Sequence, residues 1–485
     1  MVSLSYLCGA SAIPYPLVED YDITSVVQHS GEAQPGSLFF AIDGSHTSGC
    51  LWAKEAVANG AVAVISEREI PSLSVPVIVT TSIRSRFSCM CAAFWGNPHQ
   101  SLTIIAVTGT DGKSTTSDYL YQILGASGLR CGLLSTITFD DGSTKRPSPY
   151  RQSTPEADRL FSFLAHAVDN GLTHVILECT SHALSSFYDR LGPITFALSI
   201  VTTVTSEHLD FHRTGQAYLD AKLNIVRRLA DDGLLVTSDA NPHRSSFIAL
   251  LKGGQRSVIV GKDLPYTCSR LSWQGIEVAT EGVVIPTPLL LPPLVSNALL
   301  ALVAARHVAA RPIDPAILST LKPVKGRMEV VPNTLGIEVV IDFAHTADSY
   351  AKLFDAITRI GVAGRLIVVM GAAGERDRTK RASMGQIAVS ASDILIITEE
   401  DPRSEDPDQI IDDLIGDLDA TDTTIVTIPI RRQAIAWAID VAQQGDVVLL
   451  LGKGHERSIQ RRLTTIAWDE RAVVRRALTK KERSL

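Results

Sequence analysis

The amino-acid sequence predicts an α/β protein with three domains, and three observations support this prediction. First, 485 residues are too many for a single ordinary core, because a domain takes roughly 100–200 residues. Second, short apolar runs alternate with helical stretches, which indicates mostly parallel sheets covered by helices. Third, the apolar run LTIIAV leads into the glycine-rich segment TGTDGKSTT and then into a helical stretch. Strand, glycine turn and helix in this order are typical of a phosphate-binding sheet.

The predicted domains are residues 1–97, 98–322 and 323–485. In the first, GSLFFAIDG and GAVAVISE indicate strands, the pattern LWAKEAVANG between them indicates a helix, and the turn cluster GNPHQS ends the domain. The second contains the strand candidates LTIIAVTGT, THVILECTS, TFALSIVTTVT and GLLVTSD. The third contains five, EVVIDFAH, GRLIVVMGAAG, DILIITEED, TTIVTIPI and DVVLLLGKG. Ligands bind beyond the carboxyl ends of such strands, so the third domain should also build a site.

Composition excludes several classes of protein. The net charge of −7 gives no general affinity for nucleic acid, and no apolar run approaches the roughly 20 residues that cross a bilayer. The N-terminus lacks the basic and apolar regions of a secretory signal. Seven cysteines without metal-binding spacing indicate reduced thiols. We expect a cytoplasmic enzyme without membrane or nucleic-acid partners.

The segment from Gly109 to Thr115 is the predicted phosphate loop. It lacks the first glycine of the GxxxxGK[ST] pattern, because Val107 occupies that position. Its context nevertheless suits a nucleoside triphosphate: backbone N–H groups and a helix N-terminus converge on the anion, Lys113 neutralises phosphate oxygens, and Ser114 reaches Mg²⁺. The alternative is a plain strand-to-helix turn.

Three further residues follow predicted strands or lie in a helix behind this loop. Glu178 ends the strand THVIL, His208 follows the strand TFALSIV, and Lys222 lies in a helical stretch. Each has a structural alternative: a surface carboxylate, a loop histidine and a solvated lysine. Their order behind one phosphate loop favours a metal and phosphate site instead.

Eight motifs occur in the order TGTDGKST, ECTSHAL, VTSEHLDFH with AYLDAKL, KGRMEVV, IDFAHTADS, GERDRTKR, EEDPRSEDP and LLGKGHE. This set resembles the Mur ligases, and specifically the MurE group, which adds the third amino acid of the peptidoglycan stem peptide. The resemblance runs from about residue 24 to the C-terminus. It implies an N-terminal domain for the UDP-sugar, a central P-loop ATPase-like domain with a mostly parallel sheet, and a C-terminal Rossmann-like domain for the incoming amino acid.

The resemblance also implies roles for individual residues. ATP and a first Mg²⁺ would be held by the phosphate loop, with Lys113, Ser114 and Glu178, and a second Mg²⁺ by His208 with a carbamate on Lys222. An unmodified lysine has no lone pair to offer while it is an ammonium, whereas a carbamate supplies oxygen. The remaining ATP contacts would be Gly109, Thr110, Asp111, Gly112, Thr115, Asn297, Arg327 and Asp342. The UDP-sugar dipeptide would contact Ser30, Ser153, Thr154, Ser181 and Arg190.

The implied reaction transfers the γ-phosphoryl group of ATP to the D-glutamate carboxylate of UDP-MurNAc-L-Ala-D-Glu. An amine then attacks the resulting acyl phosphate. Activation is needed because a carboxylate has no good leaving group, and catalysis would rest on positioning and charge neutralisation, with Lys113, Lys222 and His208 as the catalytic residues. We expect a monomer whose partners are these small molecules.

The motif EEDPR occupies the place of Asp-Asn-Pro-Arg in diaminopimelate-adding relatives. The implied contacts of the amino acid are Arg376, Glu400, Asp401, Arg403, Gly452 and Glu456. Arg403 favours diaminopimelate, since a guanidinium binds a carboxylate, whereas Asp401 favours lysine or ornithine, whose side chains end in an ammonium alone. The sequence leaves these substrates near parity.

Four departures from the family pattern accompany the resemblance. Asp111 replaces an asparagine, Phe343 replaces a tyrosine, the glycine and first asparagine ahead of Asn297 are missing, and two extra residues lie between His182 and Arg190. The alternative functions are another Mur-type or folylpolyglutamate-type ligase and a nucleotide-binding module without catalysis.

Overall fold

The fold is described from a computed structural model of the chain, which covers residues 2–15, 19–44, 47–150, 152–205, 212–416 and 422–484. Two compact units form: residues 1–265 with 296–314, and residues 266–295 with 315–485. Both are α/β, which confirms the predicted class. The limits 1–97, 98–322 and 323–485 stay predictions for the three domains.

The N-terminal part of the first unit contains a parallel four-stranded sheet, ordered β3-β4-β5-β6. The strands of this part are β1 (Val2–Ser3), β2 (Asp22–Ile23), β3 (Ser25–Val27), β4 (Ser37–Phe40), β5 (Ala61–Ser66) and β6 (Val77–Val79). Its helices are α1 (Leu4–Ala10), α2 (Ala53–Ala58) and α3 (Ile83–Phe94), with 3₁₀ turns at Ser30–Glu32 and Gly49–Trp52. Strands β4 and β5 and helix α2 confirm the βαβ pattern predicted for this segment.

An eight-stranded sheet follows in the same unit, with the order β10-β9-β8-β11-β7-β12-β13-β14. Its strands are β7 (Thr103–Thr108), β8 (Gly132–Leu134), β9 (Thr138–Asp140), β10 (Arg146–Pro147), β11 (His174–Glu178), β12 (Phe196–Val201), β13 (Leu229–Ser238) and β14 (Arg256–Val260). The helices are α4 (Lys113–Ala126), α5 (Ala157–Asp169), α6 (Ser181–Leu184), α7 (Gly215–Arg227) and α8 (Arg244–Ile248), with a 3₁₀ turn at Pro98–Ser101. Helix α9 (Pro292–Val308) begins in the second unit and belongs to the first from Ser296 onward. All pairings are parallel except those of β9 with β8 and β10.

The register of the central strands positions the site. Strand β7 lies between β11 and β12, with Val107 opposite Glu178 and Thr108 opposite Val201. The three strands are almost wholly buried, as expected for parallel strands covered on both faces. The loops after all three therefore emerge side by side at one edge of the sheet.

The second unit contains a six-stranded sheet ordered β18-β19-β23-β20-β21-β22, parallel except at the edge strand β18. Its strands are β18 (Glu329–Val330), β19 (Glu338–Ile341), β20 (Leu366–Met370), β21 (Ile394–Ile397), β22 (Thr424–Thr427) and β23 (Val447–Leu450). The helices are α10 (Ala347–Ile360), α11 (Thr379–Ala391), α12 (Pro407–Ile415), α13 (Arg431–Val441) and α14 (Glu470–Glu482), with a 3₁₀ helix at Pro315–Thr320. The five strands predicted for this region are thus confirmed.

Two smaller sheets complete the second unit. Strands β15 (Tyr266–Ser272), β16 (Gly275–Thr280) and β17 (Val283–Thr287) form an antiparallel sheet, and β24 (Ser458–Gln460) pairs with β25 (Thr465–Ala467). Separate apolar clusters lie on the two faces of the six-stranded sheet; Val340 and Val368 belong to one, their neighbours Val339 and Val369 to the other. Within the described ranges, no helix is long and apolar enough to cross a bilayer.

Candidate active site

The glycine-rich segment after β7 forms a tight loop that leads into α4. Gly109 and Gly112 have φ values of 153° and 82°, in the region that glycine adopts at little cost. A Cβ at Gly109 would lie 1.8 Å from Thr202 Oγ1, and one at Gly112 would lie 2.6 Å from Asn297 Oδ1. Both glycines are therefore required for the close approach of neighbouring segments.

The loop is fixed by hydrogen bonds to the segment after β12. Thr110 donates its N–H to Thr203 O at 2.7 Å, and its hydroxyl lies 3.0 Å from Tyr218 Oη. Thr202 donates its hydroxyl to the carbonyl of Asp111, whose own side chain is exposed, while Thr115 is buried in α4. The loop is thus held in shape by hydrogen bonds within the protein.

Lys113 begins helix α4 and folds back over the loop. Its ammonium donates to the carbonyl oxygens of Gly109 at 3.1 Å and Thr110 at 2.7 Å. No carboxylate within the described ranges forms a salt bridge with it. A half-buried ammonium held on two neutral carbonyls keeps its charge available for phosphate oxygens.

The carboxylate of Glu178 lies directly against the start of α4. Ser114 Oγ donates to its two oxygens at 3.1 and 3.0 Å, and Thr136 contributes its N–H at 2.9 Å and its hydroxyl at 3.0 Å. Glu178 is 1% exposed, which excludes the alternative of a surface carboxylate. The serine hydroxyl and the carboxylate form an oxygen donor set of the kind that Mg²⁺ takes, with phosphate oxygens and water as further ligands.

Lys222 reaches the other side of the loop from helix α7. It is 1% exposed, its Nζ donates to Gly109 O at 2.6 Å, and it lies 4.7 Å from the ring centroid of Tyr218. The alternative of a solvated helix lysine is therefore wrong. His208 lies outside the described residues. Within the described ranges there is no cluster of three or more His, Cys, Asp or Glu side chains suited to a metal.

Two residues that the sequence did not single out join this network. Thr136 bridges Glu178 and Ser153, whose hydroxyl it contacts at 2.5 Å. His212 Nε2 lies 3.0 Å from Ser181 Oγ, and its ring centroid is 5.5 Å from that of His182. The second histidine of the motif EHLDFH was the available signal for His212.

Thr154 and Arg190 form a second layer behind Glu178. Thr154 donates its hydroxyl to the carbonyl of Glu178 at 2.7 Å, and Arg190 Nη1 donates to the carbonyl of Thr154 at 3.0 Å. Arg190 also pairs with Glu156 at 2.5 Å and lies 5.2 Å from the ring centroid of Tyr188. The structure thus brings four of the five predicted dipeptide contacts, Ser153, Thr154, Ser181 and Arg190, into the surroundings of Glu178.

Ser30 is placed apart from that group. Its hydroxyl donates to Glu55 at 2.9 Å, and its carbonyl accepts from Asn59 at 3.0 Å, so it belongs to the N-terminal sheet and helix α2. Asn297, in contrast, lies on α9 with its amide against Gly112. Contact of Ser30 with the UDP-sugar and of Asn297 with adenine stay predictions.

In the second unit, Asp342 follows β19 and organises the loop around it. Its carboxylate accepts from Met328 N at 2.8 Å and Ala344 N at 2.7 Å. The guanidinium carbon of Arg327 lies 4.6 Å from the ring centroid of Phe343, and His455 lies 4.7 Å from the same ring. Burial and the nearby positive charges hold the pKa of His455 well below its usual range. Contacts of Arg327 and Asp342 with ATP stay predictions.

The loops after β21 and β23 bring several carboxylates together, in a group called here the carboxylate cluster. Lys453 is 0% exposed, and its ammonium binds Asp401 Oδ1 at 2.8 Å and Glu456 Oε2 at 2.5 Å. Asp401 Oδ1 also accepts from Gln460 N at 2.9 Å. Burial opposes the charge on Lys453, but Glu456 and Asp401 raise its pKa above the ordinary value. In the sequence, Lys453 lies in the motif GKGHE, but that motif gave no indication of its two ion pairs.

Glu400 and Gly452 lie against each other beside this cluster. A Cβ at Gly452 would lie 2.7 Å from Glu400 Oε2, and the φ of 96° favours glycine, so a larger residue would be strained and would displace this carboxylate. Burial raises the pKa of the Glu400 carboxyl to about 7. Arg403 contributes its backbone N–H to Gln460 O at 2.9 Å, and its guanidinium makes no hydrogen bond or ion pair in the described part of the chain.

Arg376 lies exposed in the loop after β20. Gly374 in the same loop donates its N–H to the carbonyl of Asp401 at 2.8 Å, which ties this loop to the carboxylate cluster. In the described part of the chain, the side chain of Arg376 forms no hydrogen bond or ion pair with the loops after β21 and β23, so its role with the amino acid stays a prediction.

The two regions described above coincide with two protein-family profiles. The profile of the Mur ligase middle domain matches residues 107–305, and that of the "Mur ligase, glutamate ligase domain" matches residues 326–454. The first range contains the phosphate loop with Glu178 and Lys222, and the second contains most of the carboxylate cluster.

Whole-length relatives agree with these profiles. The UDP-N-acetylmuramyl-tripeptide synthetase of Borreliella afzelii (strain PKo) is 34% identical, over 96% of this chain and 95% of the relative. The UDP-N-acetylmuramoyl-L-alanyl-D-glutamate–2,6-diaminopimelate ligase of Geobacillus thermodenitrificans (strain NG80-2) is also 34% identical, over 94% and 95%. A solved structure of a ligase with that same name superposes with a TM-score of 0.64 and 26% identity, over 98% of this chain and 99% of the other. With matches along almost its entire length, this chain belongs to the MurE group of the Mur ligase family.

Proposed function

We propose that this protein, an ATP-dependent amide ligase of peptidoglycan synthesis, joins a diamino acid to UDP-MurNAc-L-Ala-D-Glu. The name of the B. afzelii relative specifies a tripeptide product, and that of the G. thermodenitrificans relative specifies the L-alanyl-D-glutamate acceptor. The observation that carries the proposal is the Ser114–Glu178 contact at the start of α4, with Lys113 and Lys222 on the adjoining loop carbonyl of Gly109.

The proposed first step is transfer of the γ-phosphoryl group of ATP to the D-glutamate carboxylate. The loop N–H groups and the N-terminus of α4 would bind the phosphates, and Lys113 would shift from the loop carbonyls to the phosphate oxygens. Its position between neutral partners supports this, because no ion pair has to be broken.

The donors present suit one magnesium ion at Ser114 and Glu178. When bound, Mg²⁺ would neutralise the charge of the transferring phosphoryl group. For a second ion, His208 and a carbamate on Lys222 remain the proposed ligands, since an ammonium cannot ligate a cation. A ¹³C-carbonate label tests the modification apart from activity: a carbamate signal in the protein that is absent from Lys222→Ala supports it, and identical spectra contradict it.

In the proposed second step, the amine of the incoming amino acid attacks the acyl phosphate and expels phosphate. Arg403 and the carboxylate cluster would hold this amino acid, with Arg376 as a further contact. The reaction is expected in the cytoplasm, by a monomer that acts on small molecules only.

The test is phosphate release by the purified protein with ATP, Mg²⁺, bicarbonate and UDP-MurNAc-L-Ala-D-Glu, followed by the mass of the product. Release that depends on both the dipeptide substrate and a diamino acid, with a product one residue heavier, supports the proposal. Release without a heavier product, or a product from a folate substrate instead, contradicts it. Lys54→Ala, an exposed lysine of α2, serves as the control for Lys113→Ala.

A further inference from the structure

The outer face of helix α14, at the end of the second unit, carries cations that have no partner within the described residues. Arg476, Lys480 and Arg483 recur every three or four residues and Arg475 precedes them, so all four lie on one side of the helix. All four are exposed. In the described part of the chain, none of their side chains forms a hydrogen bond or an ion pair. These four residues are called here the α14 basic face.

The other charged side chains of this segment all have partners within the protein. Arg471 pairs with Glu329 at 2.8 Å, and Lys481 donates to the backbone carbonyls at the end of α13. The carboxylates are partnered as follows: Asp469 by Lys325, Glu470 by Arg431, and Glu482 by Thr334. The segment therefore presents positive charge outward, although the whole chain has a net charge of −7.

The packing of α14 leaves this face free. The helix buries Val473, Val474 and Leu478 in the apolar cluster that it shares with α13, so the basic face points away from the core. With Thr479, the four cations line an open recess of about 460 Å³. Because all of its lining belongs to α14 and the residue after it, the recess is shallow. It suits the headgroups of an extended surface better than an enclosed ligand.

The chemistry of the α14 basic face favours a lipid surface over other anionic partners. The face has no aromatic side chain, on which the bases of a single-stranded nucleic acid would stack. It also has no apolar side chain, whereas the centre of a protein interface is built on buried apolar and aromatic anchors. Phospholipid headgroups move laterally, so their phosphates can match any spacing of the cations. Arginine binds such phosphates through two parallel N–H donors.

We propose that the α14 basic face attaches this protein reversibly to a membrane surface that contains anionic phospholipids. The attachment is electrostatic: the cations contact headgroup phosphates, and no side chain of the face enters the acyl region. Each cation near such a surface strengthens binding by about five-fold. Four cations therefore give a weak, salt-dependent contact rather than a permanent anchor. The contact requires neither a spanning helix nor the ligase reaction, so it is independent of the proposed function.

The test is co-sedimentation of the full-length protein with vesicles of phosphatidylcholine, either alone or mixed with phosphatidylglycerol. We expect binding to the mixed vesicles at low salt, and release at about 1 M salt, where the Debye length is about 3 Å. The double variant Arg476→Gln, Lys480→Gln should bind about 25-fold more weakly. The matched control Lys54→Gln, Lys262→Gln removes the same charge from exposed lysines of the first unit and should bind like the unaltered protein.

Three outcomes overturn the proposal. The first is no binding to the mixed vesicles at low salt, and the second is equal weakening in both double variants, which would assign binding to net charge. The third is tighter binding of single-stranded RNA or polyglutamate that the variant of the basic face loses, which would assign the face to a nucleic acid or an acidic protein segment. Circular dichroism checks that both variants fold. Ligase turnover without vesicles should be the same in all three proteins, so the two proposals can fail separately.

Discussion

Replacing Glu400 with glutamine is expected to stabilise the second unit at pH 8 much more than at pH 5. Burial raises the pKa of this carboxyl from 4.5 to about 7. An acid whose pKa is higher in the folded state destabilises the fold as pH rises from the unfolded to the folded value, because ionisation then favours unfolding. With these two pKa values, the stabilisation by Glu400→Gln should be about 2.5 kcal/mol larger at pH 8 than at pH 5.

The assay is urea-induced unfolding of both proteins at several pH values, followed by hydrogen exchange of peptides that cover β21 and β23. Glu405→Gln is the control, and its effect on the free energy of unfolding should have the opposite sign. The hydrogen bond from Arg381 lowers the pKa of the Glu405 carboxyl, so the ionised form of this residue stabilises the fold. That variant should lose stability above pH 5. Equal stabilisation by Glu400→Gln at pH 5 and pH 8 would show that Glu400 has an ordinary pKa and a partner that the structure does not contain.

Three further predictions concern other parts of the chain. Lys113→Ala should lower kcat by about 100-fold or more while circular dichroism stays unchanged, because a transition-state charge loses its neutralising partner; a loss below ten-fold contradicts the assigned role. Gly112→Ala should weaken ATP binding in calorimetry, since its φ of 82° and the 2.6 Å approach to Asn297 leave no room for a methyl group; unchanged affinity would count against this loop as the nucleotide site. Glu470→Gln should lower the free energy of unfolding by about 3–5 kcal/mol, because it leaves the buried guanidinium of Arg431 without its carboxylate; thermal unfolding within 1 °C of the unaltered protein would contradict this.

The strands and the phosphate loop were predictable from local sequence. Buried parallel strands give continuous apolar runs, and β7, β11, β12 and the strands of the six-stranded sheet all have them. The antiparallel sheet β15–β17 was not predicted. Its first strand, YTCSRLS, is mostly exposed or half-buried and therefore has no long apolar run. Its place in the second unit depends on long-range contacts, such as the hydrogen bond from Trp273 Nε1 to Gly361 O at 3.0 Å.

Individual site residues could be predicted only where they belong to a recognisable motif. The positions of Glu178 and Lys222 in the sequence, behind the phosphate loop, indicate that they belong to the site, but they do not indicate that both side chains are buried. Thr136 lies 42 residues before Glu178 in a segment with no motif, so no local pattern indicates its two hydrogen bonds to that carboxylate. Such contacts arise from the adjacency of strands β8, β11 and β7, which sequence spacing alone does not determine.

Asp401 shows how a contact changes the meaning of a residue. Considered alone in the sequence, it adds a negative charge that opposes the carboxylate preference of Arg403. In the structure its charge is bound to Lys453, and this would suggest that it has no effect on the substrate. Lys453 also binds Glu456, however, and one ammonium cannot neutralise two carboxylates. The excess charge therefore belongs to the whole group, including the unpartnered oxygen of Glu400. The effect of the Asp401 charge therefore follows from the whole group and not from its own ion pair, because Lys453 is shared with Glu456.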